Sequence, residues 1–167
     1  MELNVIIEKM KENENFIVRE PKGKPQIKGK HILPEDVVAF YEMCGGIECY
    51  VKGEAYPIRI LAPEEVVQAN PVLVGEECEE DISSSWYLIA DAEDGNYISI
   101  DFDKERNGRC YESFFDTHAL RDNCPVVARS FTEFLKHLLE YKGDYFYWLE
   151  NDAFEGYGDA YQYLADY

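Results

Sequence analysis

The apolar positions of the chain fall into short runs whose period changes along its length. In 2–14, Leu3, Ile6, Ile7 and Met10 recur at helical spacing, which predicts a short amphipathic helix. The next helix signal is ILPEDVVAFYEMCGG, 32–46. Pro34 suits a first helical position, and Glu35 and Asp36 complement the positive end of the helix dipole. Val37, Phe40, Tyr41 and Cys44 then repeat on one side, and Gly45 and Gly46 stop the helix in a conformation that other residues resist. Between these helices lies PKGKPQIKGK, 21–30, an exposed Pro/Gly/Lys connection and the one basic run of the sequence.

After the glycines the runs shorten and strands take over. IECYV (47–51) and YPIRIL (56–61) read as strands joined by Lys52, Gly53 and Glu54. APEEVVQAN (62–70) reads as a short helix with Pro63 and two acids in its first turn, and VGEECEED (74–81) as an acidic loop. WYLIA (86–90) and YISIDFD (97–103) are strands flanking DAEDGN, whose Asp94-Gly95 pair is a turn signal. In the second of them Ile98, Ile100 and Phe102 alternate with Ser99, Asp101 and Asp103, which predicts one buried face and one wet face. GRCYESFF (108–115) is a further strand. SFTEFLKHLLE closes the pattern: Ser130 and Glu133 are spaced as a capping box, and Phe131, Phe134, Leu135, Leu138 and Leu139 form an apolar stripe.

Helices, a strand meander and a closing helix, with no repeating βαβ unit, predict an α+β fold with a central antiparallel sheet flanked by helices. One domain is expected over 1–142. The remainder, 143–167, holds nine aromatics and six acids without a base, and so many exposed rings would invite aggregation unless the extension docks. Tyr157, Tyr161 and Leu164 fall at helical spacing, so part of it is expected to dock as a helix.

Charge sharpens the picture because it is unevenly placed. The net charge is −18; residues 60–103 carry twelve acids and no base, whereas 1–59 and 104–142 are nearly balanced. Such a field repels phosphate backbones and anionic lipid and draws in cationic surfaces, so the expected partner is a basic protein, with no nucleic acid and no membrane. No apolar run approaches the ~18 residues of a spanning helix. The start MELNVIIEKMKENEN does not read as a secretory signal. Five cysteines with no C-x-x-C pair read as reduced thiols of a cytoplasmic protein.

Candidate chemistry is thin. Asp91, Glu93, Asp94, Asp101 and Asp103 lie on or near one hairpin, but their spacing fails the calcium-loop pattern, and a solvated acidic hairpin outweighs a metal site. His118 could be paired with Cys110 or Cys124 as base and nucleophile, yet nothing local activates either thiol. No nucleotide-binding, serine-hydrolase or zinc-protease motif occurs. A protein without catalytic residues, metal or cofactor is therefore expected. Trp86 and Trp148 read first as core residues and second as interface anchors.

The succession LPEDVVAFYEMCGG, SSWYLIADAEDGNYISIDFD, NGRCYESFFDTHA and VVARSFTEFLKHLL resembles the SMI1/KNR4 family of the SUKH superfamily, from about Ile32 to Leu139. The resemblance implies an α+β domain with a central antiparallel sheet. It also implies a binding role. Bacterial members of the superfamily look largely like immunity proteins that neutralise polymorphic toxins, often nucleases, by direct binding, and fungal members act as scaffolds. The expectation is an immunity protein for a basic, nuclease-type toxin domain, with an intracellular scaffold as the alternative. Its contact region is expected at Asp91, Glu93 and Asp94, with Asp101, Asp103 and Trp86 beside them; Gly45, Gly46, Ser130 and Glu133 are expected to be structural.

Overall fold

Seven strands run in chain order across one sheet, β1 (Phe16–Val18), β2 (Ile47–Cys49), β3 (Ile58–Ile60), β4 (Trp86–Asp91), β5 (Tyr97–Asp101), β6 (Cys110–Ser113) and β7 (Val126–Ala128), and every neighbouring pair is antiparallel. This computed structural model describes residues 1–53, 56–141, 145–150, 154 and 156–162. Glu54 and Leu164, both named above, lie outside the described residues. The helices are α1 (Leu3–Lys11), α2 (Glu35–Met43), α3 (Ala69–Leu73), α4 (Phe131–Glu140) and α5 (Tyr147–Glu150). The α+β reading holds, with β1 and β7 added to the strands legible in the sequence.

Antiparallel register places side chains in rows across the sheet. One row, Ile47, Ile60, Ala90 and Ile98, is buried throughout. It belongs to one core with the buried stripes of α1, α2 and α4, which pack on one another and meet at Phe40 and Phe131, 4.9 Å between ring centroids. The opposite row, Ile17, Glu48, Arg59, Asp91 and Tyr97, stays exposed or half-buried.

That second face is not wet along its whole length, which corrects the alternating reading of 97–103. Ser99 and Asp101 are fully buried. The rings of Trp86 and Tyr111 lie 4.4 Å apart on this side, with His118 and Tyr161 against Trp86. Polar side chains at these positions survive burial because each has a partner: Ser99 Oγ bonds Ser113 Oγ at 2.5 Å, and Asp101 accepts four hydrogen bonds.

The two glycines after α2 do more than end it. Gly46 has φ +128°, which only glycine adopts readily. Gly45 N donates to Arg19 O and Gly46 O accepts from Arg19 N, both at 2.9 Å, and a Cβ on Gly45 would sit 2.2 Å from the Glu20 carbonyl oxygen. At α4, Ser130 Oγ accepts from Glu133 N at 3.0 Å as expected. The reciprocal half of the capping box is replaced: the Glu133 carboxylate instead accepts from Tyr157 OH and Arg129 Nε.

Two segments depart from the sequence reading. Within 62–70, Pro63–Glu65 makes a single 3-10 turn and α3 begins only at Ala69, so no one helix spans the segment. Val66 and Gln68 are extended, because the carbonyl of Val67 accepts from Leu88 N at 2.8 Å and Gln68 pairs across Tyr87 of β4. A strand-forming Val-Val pair beside an open strand edge prefers that ladder to a helix. The stretch around Tyr157 likewise docks without a helix: Asp159 makes an isolated bridge with Pro125, and Tyr161 follows in a turn closed by Gln162 N to Asp159 O. Val126 N donates to Gly158 O and Ala160 N to Cys124 O, at 2.8 and 2.9 Å, which occupies backbone groups beside β7. Tyr147 OH donates to Val127 O, and Trp148 Nε1 to Glu112, so the described part of the extension is tied to β6 and β7.

Candidate interaction surface

The β4–β5 hairpin turns through Ala92–Asn96, closed by Ala92 N to Asn96 O at 2.8 Å and Asn96 N to Glu93 O at 3.0 Å. Asp91 Oδ1 accepts from Glu93 N at 2.7 Å and fixes the first step of the turn. Glu93, Asp94 and Gly95 have φ of +71°, +55° and +79°. For Glu and Asp this region is disfavoured by Cβ sterics, by about 1 kcal/mol each. Both side chains stand exposed at the tip. Beside them, Asn96 Oδ1 accepts from Phe115 N at 3.1 Å, and the Phe115 ring is 65% exposed.

Behind the tip a groove of about 440 Å³ crosses the open sheet face, between Ile17, Val51 and Glu48 on one side and Arg59, Asp91 and Glu93 on the other. Arg59 is claimed from within. Its guanidinium donates to both oxygens of Glu65, at 2.6 and 3.0 Å, and lies 3.4 Å from Asp91. The bonds from Arg59 hold the Glu65 carboxyl below the usual carboxylate range, and Glu65 in turn raises the pKa of the arginine.

The remaining residues singled out in the sequence lie elsewhere. Asp91 pairs with Tyr97 and Trp86 with Asp101, so the five carboxylates are divided between the two ends of β5, roughly 13 Å apart at about 3.3 Å per residue. Asp101 has no exposed surface. Its Oδ1 accepts from Ser85 Oγ (2.6 Å) and Asp103 N (3.0 Å), and its Oδ2 from Tyr111 OH (2.6 Å) and Arg106 Nε (3.0 Å). Trp86 is equally buried. Neither can meet a partner across the surface, and the expectation for both is corrected to a place in the core. Asp103 is partly exposed and lies 3.6 Å from Arg106. The basic run 21–30 is also occupied: Lys22 meets Glu64 at 2.6 Å, Lys24 meets Glu42 at 3.3 Å and Lys28 meets Glu77 at 2.5 Å.

The two thiols and the histidine weighed as a nucleophile–base pair are all buried. Burial raises the pKa of Cys124 to about 12 and that of Cys110 well above its ordinary value. His118 Nε2 bonds Asn70 Oδ1 at 2.6 Å rather than a thiol, and burial lowers its pKa to about 4. Among the described residues no three His, Cys, Asp or Glu side chains gather to hold a metal ion, and no helix is long and apolar enough to cross a membrane. Sequence reasoning missed Arg59 and Phe115. Arg59 stands directly before the acid-only block, but its cross-strand partners follow from register; Phe115 looked like a strand end.

Compared with known proteins, residues 30–137 match the model of the SMI1 / KNR4 family (SUKH-1). The chain belongs to this family. SMI1/KNR4 likeness therefore spans α2 to α4 and carries the whole hairpin, while α1, β1 and α5 lie outside the matched segment. The chain is also 44% identical over 161 residues to the immunity protein YokJ of Bacillus subtilis (strain 168), covering 96% of each. No solved structure gives a significant match.

Proposed function

We propose that this SMI1/KNR4 protein is an immunity protein that neutralises a cognate toxin by binding it directly, without catalysis of its own. The observation that carries the reading is the 44% identity to an immunity protein across 96% of both chains. The site chemistry supports a binding role: the buried thiols are held protonated, and His118 is engaged by an amide. The acidic character supports a basic target, of the kind a nuclease-type toxin domain presents to nucleic acid. The contact centre is the hairpin tip, Asp91, Glu93 and Asp94, where the Glu93 and Asp94 carboxylates stand exposed and half-buried Asp91 holds the turn beneath them. The setting is the cytoplasm, where such a toxin acts.

The test is protection. A toxin domain captured with the chain from its native host is expressed in a sensitive host with and without the chain. Growth is expected only with co-expression, and the purified pair is expected to form a complex whose association slows as salt rises. Growth arrest unaltered by co-expression would refute the proposal.

A further inference from the structure

We propose that Phe115 and the hairpin tip form one docking surface, fitted to a protein partner that offers an apolar pocket rimmed by Lys or Arg. The inference rests on the toxin-binding reading above and names the anchor that reading lacks. Phe115 is the most exposed of the large apolar side chains among the described residues. Its exposure is built in. Asn96 Oδ1 accepts from its backbone N–H, the next turn is fixed by Thr117 N and His118 N donating to Phe114 O at 3.0 and 2.8 Å, and Phe114 turns inward against Phe146. A ring held outward on a rigid turn loses little freedom when a partner covers it, the property that makes aromatic residues binding hot spots.

Charge decides what covers it. A Cβ placed on Gly95 would touch the Phe115 side chain at 3.5 Å, so the turn that carries Glu93 and Asp94 reaches this residue, and Asp116 follows it in the chain. Among the described residues no ion pair engages these three carboxylates, whereas Glu64, Glu65, Glu77 and Asp91 each meet a lysine or arginine of the chain. A second copy would bring like charges together on a molecule of net charge −18. A basic rim around an apolar pocket satisfies the ring and the carboxylates together.

The experiment uses the full chain and the purified toxin domain of the protection test, with association and dissociation followed by stopped flow across ionic strength. Phe115→Ala is expected to speed dissociation about tenfold to a hundredfold, the effect of losing one buried aromatic ring, with little change in association. Glu93→Gln with Asp94→Asn is expected to slow association and flatten its salt dependence. Phe115→Lys, which sets a cation against the basic rim, is expected to weaken binding further than Phe115→Ala. Thermal midpoints of all variants should match the parent, since the ring and the tip carboxylates stand in solvent. If the toxin is bound and Phe115→Ala leaves dissociation within twofold, this inference falls and the toxin-binding reading stands. If the parent chain does not bind the toxin, both fall. A dimer of the free chain that Phe115→Ala dissolves would make a second copy the occupant and overturn the proposal.

Discussion

Asp101→Asn separates carboxylates that hold the fold from those that face outward. In the parent, each Asp101 oxygen accepts two hydrogen bonds, and nothing of the side chain reaches solvent. The amide fits the same space but replaces one acceptor oxygen with a donor. Turned one way, its NH₂ faces Tyr111 OH and Arg106 Nε; turned the other, it faces Ser85 Oγ and Asp103 N. The hydroxyl on that side can turn to accept from the amide, but the N–H beside it, Arg106 Nε or Asp103 N, loses its acceptor, and Arg106, whose side chain is only 21% exposed, keeps its charge with Asp103 alone at 3.6 Å. Removing one partner of a buried ion pair costs about 3–5 kcal/mol, since the other charge stays desolvated. With a urea m-value of roughly 2 kcal/mol per molar, the midpoint should fall by about 2 M. Asp94→Asn at the exposed tip should stay within about 0.5 kcal/mol of the parent. Equilibrium urea denaturation followed by tryptophan fluorescence reads both, because Trp86 pairs with Asp101 in register. A shift below about 0.5 M for Asp101→Asn, or equal shifts for the two variants, would refute the assignment of Asp101 to the core.

Three further outcomes are expected. Ser130→Ala should cost about 0.5–2 kcal/mol by removing the acceptor of Glu133 N, and an unchanged denaturation midpoint would show that α4 does not depend on this cap. Gly45→Ala should cost more than the cap, about 3 kcal/mol or above, because its Cβ collides with a backbone oxygen that cannot rotate away; a well-folded variant of parental stability would count against the packing of 19–20 over α2. The pH dependence follows from His118, whose pKa falls from 6.5 to about 4 on burial. As pH drops, the unfolded chain takes up the proton first, so the stability His118 contributes at neutral pH is lost progressively between about 6.5 and about 4. That amounts to about 2 kcal/mol between pH 7 and pH 5, and His118→Gln should flatten the stability profile in this window.

Elements with a long periodic stripe were legible in the sequence. Leu3–Met10, Val37–Tyr41 and Phe131–Leu138 mark α1, α2 and α4 because each shows two or three turns of apolar spacing. Phe16–Val18 and Val126–Ala128 were not legible: three residues carry no period, and what makes them strands is the neighbour, Ile47–Cys49 for one and Cys110–Tyr111 for the other. The alternation in 97–103 was read correctly as period two. Its polar face was misassigned because Trp86, paired with Asp101, gathers Tyr111 and His118 from later in the chain and Tyr161 from the extension on that side. The hairpin turn was visible as Asp94-Gly95, but the ring beside it was not. Phe115 looked like a strand end until the turn of Phe114–His118 set it outward.

The acid-only stretch shows why a charge count along a chain underdetermines a surface. Of its twelve carboxylates, Glu64, Glu65 and Glu77 hold lysines or an arginine from elsewhere in the chain. Asp81 accepts from Ser83 and Tyr161, and Asp101 is walled in. These groups fasten the 21–30 segment, β3 and the extension to the sheet, so their negative charge is largely matched where it stands. Glu93 and Asp94 are different. They occupy left-handed backbone positions that Asn or Gly would fill with less strain, and among the described residues they bond no cation. Asp94-Gly95 is itself a favoured pair for such a turn, so the conformational cost falls mainly on Glu93. An exposed glutamate held in a disfavoured conformation at the hairpin tip supports the proposed contact with a cationic partner. Replacing Glu93 by Asn should therefore stabilise the fold slightly while it slows association with the toxin.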